Sequence, residues 1–112
     1  MDVRAHVKHL PISAQKLRLV CDQVRGMDAE EALVVLQFMP QKGAAFLRKL
    51  ILSALANAEN NFELNRQDLY IKTVYANEGP RQMRYKAGAR GRYKPRVKPS
   101  AHLAVVLSEY ED

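Results

Sequence analysis

The chain has 112 residues, 47% of them hydrophobic, which is enough for one small folded core and too much for global disorder. Its one cysteine excludes an internal disulfide, and its short apolar runs and polar start argue against a membrane span or secretory leader, so a cytoplasmic protein is expected. The formal net charge of +6 is uneven: residues 1–80 are nearly neutral, residues 81–99 carry eight Lys/Arg and no acid, and the remainder is acidic.

In chain order, Val3, Ala5 and Val7 alternate with Arg4, His6 and Lys8, the period of a half-buried strand that Pro11 ends. Ser13 is placed as the N-cap of a helix whose apolar stripe is Ala14, Leu17, Val20, Cys21 and Val24, with Gly26 past its end. Asp28 and Glu31 have capping-box spacing before a short helix through Ala32, Leu33, Val35 and Leu36, stopped by Pro40. Leu47, Leu50, Ile51, Ala54, Leu55 and Ala58 mark one buried face of a longer third helix, with Asn60-Asn61 as its expected terminator.

Leu69 to Ala76 is rich in β-branched and aromatic residues and predicts a strand; Leu103, Val105 and Leu107 line one face of another. Strands and helices that do not alternate as βαβ units predict an α+β fold: a small antiparallel three-stranded sheet packed on three helices, in one domain spanning 1–112.

Residues 81–99 form a basic arm. Arg84 and Lys86, then Arg90, Arg92, Lys94, Arg96 and Lys98, alternate with Met83, Tyr85, Gly91, Tyr93, Pro95 and Val97, a period-two pattern that predicts a long protruding β-hairpin. Seven or eight residues a side would carry its tip roughly 25 Å from the body at about 3.3 Å per residue. Pro95 and Pro99 share parity and suit an outer ribbon edge. An odd loop would put both cationic rows on one face and an even loop on opposite faces; the sequence leaves both open. Like charges at alternate positions repel, so the arm makes most sense among phosphates, with Tyr85 and Tyr93 as candidate stacking faces or as hairpin stiffeners.

Ser13-Ala14-Gln15-Lys16-Leu17-Arg18-Leu19-Val20, Val24-Arg25-Gly26, the run Ser53 to Asn61, Asn77-Glu78-Gly79-Pro80, the Gly91-Arg92 step and His102 together resemble the universal L-twenty-two family of large-subunit ribosomal proteins. The resemblance covers nearly the whole chain. It implies a structural protein that binds 23S ribosomal RNA, helps its fold assemble, and lines the nascent-peptide exit tunnel with its hairpin. The implied partners are that RNA, neighbouring large-subunit proteins and the nascent chain, with no cofactor, no membrane and no stable homo-oligomer.

The tunnel-facing tip would be Gly88, Ala89, Arg90, Gly91 and Arg92. The arm cations (Arg81, Arg84, Lys86, Arg90, Arg92, Lys94, Arg96 and Lys98), His102, Lys16 and Arg18 would contact RNA, as would Arg25, Arg4 and Lys8 on the body. An ordinary solvated helix face is the plainer reading of Lys16 and Arg18, and Asp22 stands four residues from Arg18 as a local partner. The family often has Pro-Arg where this chain has Ala87-Gly88, and Lys-Arg-Thr-Ser-His where it has Lys98-Pro99-Ser100-Ala101-His102, which removes one phosphate contact.

No phosphate loop, nucleophile elbow or zinc-ligand pair supports an enzyme, and Cys21 on an apolar stripe reads as a buried structural thiol. His6 and His9 stand without a second ligand pair, so no metal site is expected. The rival is an architectural DNA-binding protein that lays a basic ribbon in a groove.

Overall fold

The computed structural model describes residues 2–80, 82–87 and 93–110, with the two hairpin strands given by their backbone. Strand β1 (Asp2–Leu10) is followed by helices α1 (Ala14–Val24), α2 (Ala29–Gln37) and α3 (Lys42–Phe62). After a 3-10 turn at Arg66–Asp68 come β2 (Leu69–Glu78), the hairpin strands β3 (Gln82–Ala87) and β4 (Tyr93–Lys98), and β5 (Ala101–Glu109). The body is the expected α+β sheet: three antiparallel strands in the order β1-β5-β2, while among the described residues β3 and β4 form a separate two-stranded ladder.

The core follows the two periodicities of the sequence. Every second residue of β5, Ala101, Leu103, Val105 and Leu107, is fully buried, against the apolar stripes of α1 and α3. All six residues of the expected α3 face are buried, as are all five of the α1 stripe. Burying one such Leu or Ile contributes about 1.5–3 kcal/mol, so these stripes hold the layers together. Gly43 lets α3 approach α1 closely: a Cβ there would stand 3.1 Å from Leu17 Cδ2 and 3.4 Å from Val20 Cγ2.

The helix ends test the local expectations. Ser13 does cap α1, its hydroxyl accepting from the Lys16 N–H at 3.4 Å. Gly26 has φ +85° and donates its N–H to the Ile71 carbonyl, turning the chain from α1 onto the edge of β2. Two expectations fail. Asp28 stands at the N-cap of α2 but makes no side-chain capping bond, so the Asp28/Glu31 box does not form; the Asp28 backbone bridges to Tyr70 instead. Helix α3 runs through Asn60 and Asn61 to Phe62, and ends where Glu63 takes a left-handed φ of 55°. There the Leu64 N–H reaches back to the Ala58 carbonyl and Leu64 packs against the core, while Asn61 stays within the helix with its side-chain amide donating to Asn57 one turn back.

Candidate nucleic-acid interface

The hairpin ladder settles the parity that the sequence left open. Arg84 pairs with Arg96 and Lys86 with Lys94, while Met83 pairs with Val97 and Tyr85 with Pro95. Ala87 pairs with Tyr93, so five positions, an odd number, separate the last pair. Arg84, Lys86, Lys94 and Arg96 therefore share one face of the ribbon, and Met83, Tyr85, Pro95 and Val97 share the other. Proline has no N–H to give, so the Tyr85–Pro95 pair fits a non-hydrogen-bonded place in the ladder. The cation pairs then fall at hydrogen-bonded places, with Cα atoms about 5.5 Å apart. The described part of each strand has six residues, which span roughly 20 Å at about 3.3 Å per residue. The expected tip, Gly88, Ala89, Arg90, Gly91 and Arg92, and the expected contact Arg81 lie outside the described residues.

The root of the arm is built from both chain crossings. The Gly79 N–H donates to the Ser100 carbonyl at 2.9 Å, and the Ser100 hydroxyl donates to the Pro80 carbonyl at 2.6 Å. Below them, the His9 N–H donates to Nδ1 of His102 at 3.2 Å, and the two rings meet edge to face at 5.0 Å. His9 has φ 61° at the irregularity in β1 between Val7 and Leu10. That turn of the backbone aims its N–H at His102, so His102, expected as an RNA contact, also ties β1 to β5 below the arm.

Arg18 and Arg25 are also engaged with the fold. Arg18 Nε donates to the Ala76 carbonyl at 3.0 Å, and Arg25 Nη2 to the Val74 carbonyl at 2.8 Å. β2 is an edge strand, and these arginines cover carbonyls that would otherwise face a stray partner. The Arg18–Asp22 pair does not form, because Asp22 pairs with Arg25 at 2.6 Å. Lys16, Arg4 and Lys8 are exposed. The structure thus divides the expected body contacts: Lys16, Arg4 and Lys8 extend from the surface, whereas Arg18, Arg25 and His102 also do structural work.

Acids gather at the end of the strand axis away from the arm, where Lys72 and Arg66 stand among them. At the end away from the arm lie Asp2 opposite Ser108, Glu109 opposite Leu69, Asp28 beside Tyr70, and Asp68, whose carbonyl accepts from the Tyr110 N–H. Hydrogen bonds from Ser108 and then Lys72 hold the Asp2 carboxyl below the usual carboxylate range. At the arm end lie Lys8, Lys16 and the start of α3, with Glu78 as an acid among them. Helices α1 and α3 both begin there, adding the positive ends of two helix dipoles.

Sequence reading missed one cationic group. Lys42, Arg48 and Lys49 line a groove between the end of α2 and the start of α3. In one dimension they look like a solvated helix face, and only the packing of α2 on α3 makes a groove of them. Among the described residues no cluster of three or more His, Cys, Asp or Glu is placed to hold a metal, and no helix is long and apolar enough to cross a membrane. Cys21 is fully buried and burial pushes its thiol up to about 11, the setting of an inert core thiol.

A family model described as ribosomal protein L22p/L17e matches residues 5–108. The chain is 45% identical over 112 residues to the large ribosomal subunit protein uL22 of Chloroflexus aggregans, covering 100% of this chain and 99% of that one. It is 48% identical over 112 residues to the uL22 protein of Methylacidiphilum infernorum, covering 100% and 98% of the two chains. With that of Finegoldia magna it shares 43% identity over 111 residues, 99% of each chain.

Proposed function

The chain belongs to the ribosomal protein L22p/L17e family, whose members are structural and not enzymes, and from that membership we propose that it binds 23S ribosomal RNA within the large subunit through its basic hairpin. The observation that carries the reading is the hairpin register, which gathers Arg84, Lys86, Lys94 and Arg96 on one face. Like charges paired across a two-stranded ribbon destabilise it unless a polyanion lies between them. RNA phosphates supply that neutralisation, and the released counterions drive binding.

The body sets the direction of the arm. The bonds at Gly79, Pro80 and Ser100 fix where the ribbon leaves the sheet, and the acid-poor end of the body points the same way. The body docks on the surface of folded RNA through Lys16, Arg4 and Lys8, with the free guanidinium donors of Arg18 and Arg25 beside them. The arm bridges more distant RNA segments and brings Gly88 to Arg92 to the wall of the nascent-peptide exit tunnel. Tyr85 and Tyr93 supply stacking faces for unpaired bases. Neighbouring large-subunit proteins complete the site.

Co-sedimentation tests this. The full chain is expected to travel with large ribosomal subunits at moderate salt and to protect 23S RNA positions from chemical probing. Recovery with duplex DNA alone would replace the reading with that of an architectural DNA-binding ribbon.

A further inference from the structure

We propose that His102 is an acid-sensitive latch at the root of the arm. Its neutral ring holds the end of β1 through the His9 N–H, and a second ring proton releases that strand and loosens the place where the ribbon leaves the sheet. The latch is a property of the chain by itself and stands or falls apart from the RNA-binding reading.

Three observations carry it. First, the bond at the latch admits one protonation state. The His9 N–H donates to Nδ1 of His102 at 3.2 Å, so that nitrogen holds a lone pair and the ring proton sits on Nε2. A charged imidazole has a proton on both nitrogens, and two donors would then face each other. Second, the donor is aimed by an unfavourable backbone. His9 has φ 61°, a left-handed conformation that residues with a Cβ seldom adopt, at the irregularity in β1 between Val7 and Leu10. The turned N–H reaches the accepting nitrogen of His102, and without that acceptor the left-handed turn loses its compensation.

Third, the ring of His102 touches both β1 and the arm root. The His9 ring meets it edge to face at 5.0 Å. Gly79 fits against the same ring so closely that a Cβ there would stand 3.0 Å from Cε1 and 3.3 Å from Nε2. Gly79 also donates its N–H to the Ser100 carbonyl, and the Ser100 hydroxyl donates to the Pro80 carbonyl. A ring that swings out to hydrate its charge therefore leaves the His9 N–H and the Gly79 backbone together. Among the described residues, the charged and titratable groups around it are Lys8, His9 and His6 on β1, Glu78 beside its ladder partner Asn77 on β2, and Arg18, which reaches β2 from α1 at the Ala76 carbonyl. Histidine is the side chain whose charge changes near neutral pH, so His6 and His9 are the groups to separate from His102.

The test follows the full chain by NMR from about pH 8 to about pH 5, the range in which histidine gains its charge. At the upper end His102 is expected as the Nε2–H tautomer, read from its ring nitrogen shifts. As that ring charges, the protection of the His9 and Gly79 amides against hydrogen exchange is expected to fall severalfold, while that of Leu55 in the core of α3 holds. His102→Asn puts a carbonyl oxygen in the place of Nδ1, so it keeps the bond and the protection at both ends of the range. His9→Gly suits the positive φ and keeps the backbone N–H, and it retains the response at Gly79, as does His6→Gln. An Nδ1–H tautomer at high pH, or protection at His9 and Gly79 that ignores the charging of His102, overturns the latch. So does a response that survives in His102→Asn, or one that vanishes in His9→Gly or His6→Gln.

Discussion

Arg84 stands directly opposite Arg96 in the β3–β4 ladder. A like-charged pair facing across two strands opposes the ribbon by about 0.2–1 kcal/mol, and Lys86 opposite Lys94 repeats the cost one step nearer the turn. The hairpin gives up stability in the free protein for a face that a polyanion can neutralise.

Arg84→Glu converts that pair to opposite charges. The variant is expected to slow amide exchange along Gln82–Ala87 and Tyr93–Lys98 in the free protein, and to weaken RNA binding in the same sample. Faster exchange together with unchanged binding would remove the link between the two.

At the edge of the sheet, Arg18→Ala removes the donor to the Ala76 carbonyl. The guanidinium is partly solvated, so the expected loss of unfolding free energy is modest, about 1 kcal/mol. Denaturant titration reads it. An Arg18 that served only as a phosphate contact would leave stability unchanged and lower RNA affinity alone.

Gly79→Ala attacks the root of the arm. The added Cβ would lie 2.6 Å from Ser100 Oγ and 3.0 Å from His102 Cε1. Ser100 must then leave the Pro80 carbonyl or His102 must leave the His9 N–H, at a cost of about 1–3 kcal/mol. Urea denaturation should show the loss, and Ser100→Gly in the same chain should recover part of it by removing the atom in the way.

Cys21 gives a pH dependence of defined sign. Burial raises its thiol from 9.0 to about 11, so the folded state resists losing that proton. The contribution is complete below pH 9 and is lost as pH rises through 11, with a slope of up to about 1.4 kcal/mol per pH unit. Stability curves of wild type and Cys21→Ala should converge across that window; parallel curves would place the thiol in contact with water.

Much of the body is legible in one dimension because its causes are local. The α1 and α3 stripes follow helical spacing, β5 alternates, Ser13 caps its helix, and Gly26 takes the positive φ that a glycine past a helix end suggests. What was not legible depends on residues distant in sequence. The partners of Arg18 and Arg25 are carbonyls 58 and 49 residues away, so the nearby Asp22 looked like the natural partner of Arg18. The shared face of the arm cations turned on an odd count of residues between ladder ends. Helix α3 runs past Asn60 and Asn61 to a left-handed Glu63, where Leu64 packs on the core and its N–H returns to the Ala58 carbonyl, against the local preference of the asparagines. Lys42, Arg48 and Lys49 became a group only when α2 folded against α3.

The central claim, that the arm binds ribosomal RNA by lying among its phosphates, is tested most directly by the salt dependence of binding to 23S RNA. With the eight cations of residues 81–99 in contact, the full chain should show a log–log slope of about −6 or steeper. Replacing those eight by Gln should reduce the slope to the small value left by the body. A wild-type slope near −1, or an unchanged slope after the arm is neutralised, would contradict the account.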